Sequence, residues 1–431
     1  MRKRPAWPAR LGLGVALVAM GCDGPRATLE TVASSERDAA SEPPPPQEMD
    51  AAVRDATPPP SEAAVPEAGE TAPVLVGLAP LSLTTPDPTA TAADSVQAHV
   101  DVIASGARAV TLGLRWNELV GDDGAPIERA WDDLARGAAL YRDAERSVLV
   151  SLTIVDRTLD VRPQALGGSW GASELDAFES LVGAVYEIFD GSLRYLSVGH
   201  RVDQWLAAAS RARREELTEF VLESLERARG HRRHPPGVEV GVSLSFEGLM
   251  SDDVPEVAEL AAASDAVFVS YLPFDDASRA RPAESVSADL EGLLERFSGA
   301  DGESARLVLE QIGYPSHFDV DASPERQRAF FDALFRTVAQ RRERIPFITV
   351  FSFNDLPREV CVATAVAQGL SPGSGRYSRL RDGYCSLGLR ERIDADDVDA
   401  PEPAGVIERP RFVEKPAWRR VLDAFATFQA P

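Results

Sequence analysis

From about residue 74 the chain alternates between two hydrophobic rhythms. Short runs dense in Val, Leu, Ile and Phe predict buried β-strands, and longer stretches with apolar residues every three or four positions predict amphipathic helices packed over them. Strands are expected at 75–83, 109–114, 148–155, 193–198, 238–246, 266–271, 306–312 and 347–353. Their starts lie mostly about 30 to 45 residues apart, the length of one strand, one helix and two loops. The helical stretches carry their own boundary signals. Ser323 and Pro324 supply a cap and a first-turn proline ahead of an apolar face of Phe330, Phe331, Leu334 and Phe335. Residues 215–228 repeat Leu217, Phe220, Val221 and Leu225 at helical spacing, and 416–428 repeat Trp418, Val421, Leu422 and Phe425. Eight strand–helix units predict an α/β fold of the (β/α)8 TIM-barrel type over residues 74–431. The rival, an open doubly wound sheet, lacks a G-x-G-x-x-G or P-loop after any strand.

The pattern breaks down before residue 74. Residues 1–22 combine Arg2, Lys3, Arg4 and Arg10 with an apolar stretch over 11–20, too short to span a bilayer as a mature helix. Ala19-Met20-Gly21-Cys22 follows and resembles the lipobox of bacterial lipoproteins, which implies lipidation at Cys22 and a membrane partner through an N-terminal anchor. An ordinary secretory signal with an incidental Cys22 is the alternative, and either way the mature protein leaves the cytoplasm. Residues 23–73 are rich in Pro, Ala and Glu with almost no large apolar side chains, so they predict a disordered tether to the cell envelope or surface.

Composition narrows the partners. The 431 residues carry a formal charge of -23, which argues against nucleic acid, because phosphate binding relies on clustered Lys and Arg. A monomer without cofactor is expected, and no His, Cys and carboxylate set shows metal-ligand spacing, His231 and His234 reading as a polar loop. After Cys22 only Cys361 and Cys385 remain. In an oxidising compartment they predict a disulfide worth about 3 kcal/mol, with two unpaired buried thiols as the alternative.

Chemistry in such a barrel belongs at the C-terminal strand ends. Those ends offer Arg115, Trp116, Asn117 and Glu118; Asp156; His200, Arg201 and Asp203; Glu247; Tyr271; Glu310, Gln311 and Tyr314; and Phe353, Asn354 and Asp355. Carboxylates and amides bind hydroxyls and aromatic faces stack on sugar rings, so this set predicts a pocket for a polyhydroxylated ligand. Arg115, Trp116, Trp170, His200, Tyr314 and Asn354 are its candidate binding residues. For Trp116, Trp170 and Trp205 a place in the core is the competing reading.

Two of these tips carry a family resemblance. The seventh, LEQIGYPS, resembles the nucleophile strand of the clan of retaining glycoside hydrolases built on (β/α)8 barrels, and YLSVGHRVD resembles the fourth-strand V-G-N-E-V-D pattern of that clan. CSLGLRER around Cys385 and Lys415-Pro416-Ala417-Trp418 resemble the end of such domains. The resemblance implies that Glu310 matches the nucleophile, Tyr271 the tyrosine that hydrogen-bonds it and Arg115 an arginine near it. His200 and Arg201 stand where the pattern has Asn and the acid/base Glu. Retaining hydrolysis needs two carboxyl groups about 5 to 5.5 Å apart, and arginine has no proton to give near neutral pH. Arg201 is therefore expected to pair with Glu310, lower its pKa and leave a carbohydrate-binding barrel with impaired catalysis. The alternatives are an active glycosidase with Glu310 as nucleophile and a relocated acid drawn from Glu118, Asp156, Asp203 or Glu247, and a structural envelope lipoprotein.

Overall fold

A computed structural model describes residues 73–80, 92–298, 306–393 and 411–428. Cys22 and the signal, and the tether apart from Pro73, lie outside them. Eight parallel strands close into a barrel: β1 (Leu75–Leu78), β2 (Ala109–Arg115), β3 (Ser147–Asp156), β4 (Leu193–His200), β5 (Glu239–Ser245), β6 (Val267–Tyr271), β7 (Leu307–Ile312) and β8 (Phe347–Val350). Each strand pairs with the next, and β1 closes on β8 through the register Leu75↔Phe347 to Leu78↔Val350. All eight predicted strands are present; 81–83, the end of the first, lie outside the described residues.

The helical signals also hold. The Ser323 hydroxyl accepts from the Arg326 amide and Pro324 opens the helix Pro324–Gln340, while 215–228 falls inside Arg211–Gly230 and the last helix runs Pro416–Phe428. These helices bury Phe331, Leu334, Leu217, Phe220, Val221 and Phe425 against the outer faces of the strands. Among the described residues no helix is long and apolar enough to cross a membrane.

Alternation along the strands builds the barrel interior in two levels. Side chains two apart share a face, so the inward positions run Tyr195–Ser197, Phe268–Ser270, Val308–Glu310 and Phe347–Thr349. At the lower level Ala109, Leu149, Tyr195, Phe268, Val308 and Phe347 form a separate apolar cluster, with the Tyr195 ring edge-on to Phe268 and Phe347. At the upper level the same strands turn to hydroxyls: Ser197, Ser243, Ser270 and Thr349 are fully buried. The apolar plug thus carries a small polar layer above it. Bulky branched residues there would have filled the mouth.

Beyond β8 the chain adds two helices, Arg358–Ala367 and Gly375–Cys385, joined by the disulfide Cys361–Cys385, whose Cα atoms are 5.5 Å apart. The predicted pairing is therefore made. A short hairpin of β9 (Arg390–Ile393) and β10 (Arg411–Glu414) follows, and Lys415 behind it forms a buried ion pair with Asp355 at 2.6 Å.

Candidate functional site

A cavity of about 220 Å3 opens over the polar layer at the C-terminal ends of the strands. Arg115, Asp156, Arg157, His200, Glu310 and Tyr384 supply its charged and polar wall, and Phe351, Leu356 and Val360 its apolar one. Glu310 faces it by the regular alternation of β7, and Gln311 joins it through an irregularity in the ladder. The register of β7 against β6 shifts between Val269 and Ser270, and against β8 between Leu309 and Ile312. Such a bulge lets two consecutive residues share one face, and both Glu310 and Gln311 line the cavity.

Glu310 is 2% exposed. The Ser197 hydroxyl donates to its Oε2 at 2.8 Å and the Ser243 hydroxyl to its Oε1. Burial pushes the carboxyl up to about 7, against the Ser197 bond and the charge of Arg201, which pull the other way. The expected lowering by Arg201 is thereby reversed, since desolvation outweighs a guanidinium held at a distance. No ion pair joins Glu310 and Arg201.

The backbone explains why. Gly199 and Arg201 both adopt left-handed conformations, at φ +76° and +51°, turning the chain sharply from β4 into the helix Val202–Ala208. A Cβ at Gly199 would stand 2.3 Å from Val202 Cγ2, so only glycine fits there. The turn sends the Arg201 side chain across to β6. Its Nε donates to Ser270 Oγ at 2.9 Å and its Nη1 to the Tyr384 hydroxyl at 3.3 Å. Ser270 in turn donates to Gln311 Oε1 at 2.6 Å. Arg201 is 4% exposed and has no carboxylate within ion-pair distance among the described residues.

On the other side Asp156 sits between two guanidiniums, Arg115 on its Oδ2 and Arg157 at 3.3 Å from its Oδ1. Burial alone would raise this carboxyl, but Arg157, His200 and Arg115 outweigh it and hold it well below the usual carboxylate range. Burial pushes the His200 imidazole down to about 3, and the Arg157, Arg201 and Arg115 charges add to this against Asp156. His200 is therefore neutral. Tyr384 meets both Arg201 and Arg157, which together lower its phenol below its ordinary value despite complete burial.

Several predicted site residues are not in the cavity. Trp116 is 1% exposed and packs edge-on to Phe178, and Trp170 is buried among Trp205 and Phe220 with the Arg162 guanidinium 3.5 Å from its ring centre. Both are core residues, not platforms: Trp116 opens a short helix at the end of β2 and Trp170 lies just ahead of the helix Ala172–Ile188, each packed inward on its neighbours. Tyr314 stacks on Phe330 and donates to the Arg281 carbonyl at 2.7 Å. Tyr271 donates to Asp289 at 2.5 Å, away from Glu310, and Asn354 accepts from Arg390 Nε at 2.7 Å. Asp203 is buried and accepts from the Ser245 amide and hydroxyl at 2.7 and 2.6 Å, a link between β4 and β5. With Glu247 it lines a neighbouring cavity of about 320 Å3 on the far side of Tyr384. Glu118 stays at the rim, 4.0 Å from Arg115.

Arg115, Asp156, His200, Glu310 and Gln311 are the strand-end candidates that the structure brings together around the cavity. Phe351, Arg157 and Tyr384 join them. Phe351 and Arg157 each follow directly on a strand end, which was a usable signal; Tyr384 lies far downstream and had none. Elsewhere His317, Asp319 and Asp382 bring ligand-type atoms within 4.8 Å of one another, a set that spacing along the chain does not show. Asp382 there already pairs with Arg381 at 2.6 Å.

The chain is an eight-stranded parallel (β/α)8 barrel with a polar cavity at the strand ends and a carboxylate on β7. Solved structures agree at the level of fold. GH5_18 from Bifidobacterium longum subsp. longum, in complex with Manβ1-4GlcNAc, superposes with a TM-score of 0.58 at 16% identity, over 83% of this chain and 79% of that one. GH5_18 from Streptomyces cattleya in the same complex gives 0.56 at 16% identity over 84% and 82%. An exo-β-1,4-mannosidase from an Opitutaceae bacterium gives 0.55 at 13% identity over 83% and 60%. No protein-family model and no curated protein matches the chain.

Proposed function

We propose that this chain is an exported, surface-anchored barrel that binds carbohydrate and does not hydrolyse it by the two-carboxylate route. The observation that carries this reading is at the tip of β4, where Arg201 stands and donates to Ser270 and Tyr384. A general acid is missing there, and Glu310 has both oxygens committed to Ser197 and Ser243. At a pKa of about 7 it is half protonated near neutrality and a weak nucleophile. Support for a sugar comes from the cavity's position, the aromatic side chains Phe351 and Tyr384 in its wall and the Manβ1-4GlcNAc bound by proteins of the same fold.

One observation favours hydrolysis instead. Glu310 is pushed up and Asp156 is held down in one cavity, the divergence that separates an acid from its anionic partner. Titration calorimetry with Manβ1-4GlcNAc and related oligosaccharides, run beside a reducing-sugar assay, decides between the two. Binding without turnover is expected; turnover lost in Glu310→Gln and Asp156→Asn would sink the binding-only reading. Anchoring at Cys22 is tested separately by the mass of the mature N-terminus and by release of Cys22→Ser from membranes.

A further inference from the structure

We propose that the cavity selects a sugar bearing an acidic group, a carboxylate or phosphate, placed against Arg157 and Arg115. This rests on the carbohydrate reading above and names the class of ligand.

The hydrogen-bonding inventory of the wall is one-sided. Every oxygen of its two carboxylates already accepts one hydrogen bond: Asp156 accepts from Arg115 and Arg157, and Glu310 from Ser197 and Ser243. Ser151 donates to the Gly199 carbonyl, the Thr111 and Thr349 hydroxyls bond each other, and Gln311 gives its Oε1 to Ser270. A neutral sugar presents hydroxyls that need acceptors as well as donors, and here the carboxylate oxygens are already shared with donors of the wall, while the neutral His200 ring keeps one acceptor nitrogen. Donors remain in surplus. Each guanidinium carries five N–H groups, and Arg157, 9% exposed, has an Nε without a hydrogen-bond partner. An incoming ligand should therefore bring acceptors, and an anion brings the strongest ones, with the planar fork of arginine matched to carboxylate or phosphate oxygens.

The charges point the same way. Arg115 and Arg157 share the single carboxylate of Asp156, with Glu118 touching Arg115 only at the rim. Arg201 is buried behind Tyr384 with no ion-pair partner among the described residues. Its nearest carboxylates are otherwise engaged, Asp203 with Ser245 and Glu310 with two serines. Buried guanidiniums in excess of carboxylates are costly unless a further anion arrives. Tyr384 accepts from Arg201 Nη1 at 3.3 Å and has the Arg157 guanidinium 5.7 Å from its ring centre, so both charges act from inside the wall.

The test is calorimetric binding of glucose, glucuronate, glucose 6-phosphate, acetate and inorganic phosphate to the full chain at neutral pH, with Manβ1-4GlcNAc as a neutral reference. Glucuronate or glucose 6-phosphate should bind at least about ten-fold tighter than glucose, and which of the two wins assigns the acid as carboxylate or phosphate. Arg115→Gln, at a partly exposed side chain, should fold and shrink that gap several-fold; Arg157→Gln should shrink it further. Equal or tighter binding of glucose overturns the proposal while leaving a carbohydrate site. Acetate or phosphate binding as tightly as the acidic sugars overturns it too, because no sugar contact would remain. If the acidic sugars fail but Manβ1-4GlcNAc binds, only the acidic class is lost; if every sugar fails, the carbohydrate reading falls with it.

Discussion

Burying Glu310 at the centre of the barrel makes the stability of the fold depend on pH in a direction opposite to ordinary acid denaturation. The folded carboxyl stands at about 7 against a reference of 4.5 in the open chain. Below about pH 4.5 it is protonated in both states and contributes nothing to the difference. Between there and about pH 7 the unfolded chain releases its proton while the folded one keeps it, so stability falls as pH rises. The displacement corresponds to about 3 kcal/mol, complete once the pH exceeds the folded value. Glu310→Gln removes the titration and keeps the shape. Its amide can accept from one of Ser197 and Ser243 and donate to the other, so neither hydroxyl loses its partner.

Urea unfolding of both proteins at about pH 5, 6.5 and 8 isolates the effect, since the other titrating groups are common to the pair and cancel. The variant should gain on the parent by about 3 kcal/mol between the acidic and the alkaline end and be close to it at about pH 5. A difference that does not change with pH would refute the reasoning, because it would mean that Glu310 ionises in the folded barrel as it does in the chain. A gain that grows toward acid would mean that Arg201, not burial, governs the carboxyl.

Four further outcomes follow from particular contacts. Reducing the Cys361–Cys385 disulfide, which closes a separation of 24 residues, should cost about 3 kcal/mol and weaken ligand binding, because the helix it ties down carries Tyr384; melting with and without reductant, and calorimetry, measure both. Phe351→Ala should weaken sugar binding about ten-fold with a modest loss of stability, whereas Trp116→Ala, fully buried, should cost about 3 to 5 kcal/mol in denaturation, and the soluble folded fraction should bind normally. Lys415→Met should destabilise by about 3 kcal/mol through the stranded Asp355, and Asp355→Leu in the same chain should restore most of it in a urea titration. Asp203→Ala should lower the melting point by leaving the Ser245 amide unpaired, at a cost of about 1 to 3 kcal/mol.

The barrel was legible because its signal is repeated. Each strand is a mostly apolar run of four to ten residues and each helix shows its stripe, so even an error at one boundary leaves the count of eight intact. The chemistry was only partly legible, for reasons visible in single residues. Sequence places Arg201 at the tip of β4 but cannot show that φ of +51° there would carry its guanidinium to Ser270 and Tyr384. It places Glu310 on β7 but not the register shift that lets Gln311 share its face. Trp116 and Trp170 read equally as platform or core, and packing against Phe178 and Phe220 decides for the core. Tyr384 comes from a helix after the last barrel strand, where strand-tip logic does not reach.

The whole-chain charge shows why composition excludes some partners and leaves others open. A formal charge of -23 repels a long polyanion, whose binding needs many phosphates neutralised at once over an extended surface. A single acidic group entering a closed cavity meets a different field. Surface carboxylates act on it through water and salt, with a screening length of about 8 Å at physiological ionic strength, whereas Arg157 and Arg201 act from inside the wall at low dielectric. Added salt should then weaken the outer repulsion more than the inner attraction. Affinity for an acidic sugar would hold or rise between low and physiological salt, the reverse of nucleic-acid binding, and a steep fall in the same titrations would place the attraction on the surface instead of in the cavity.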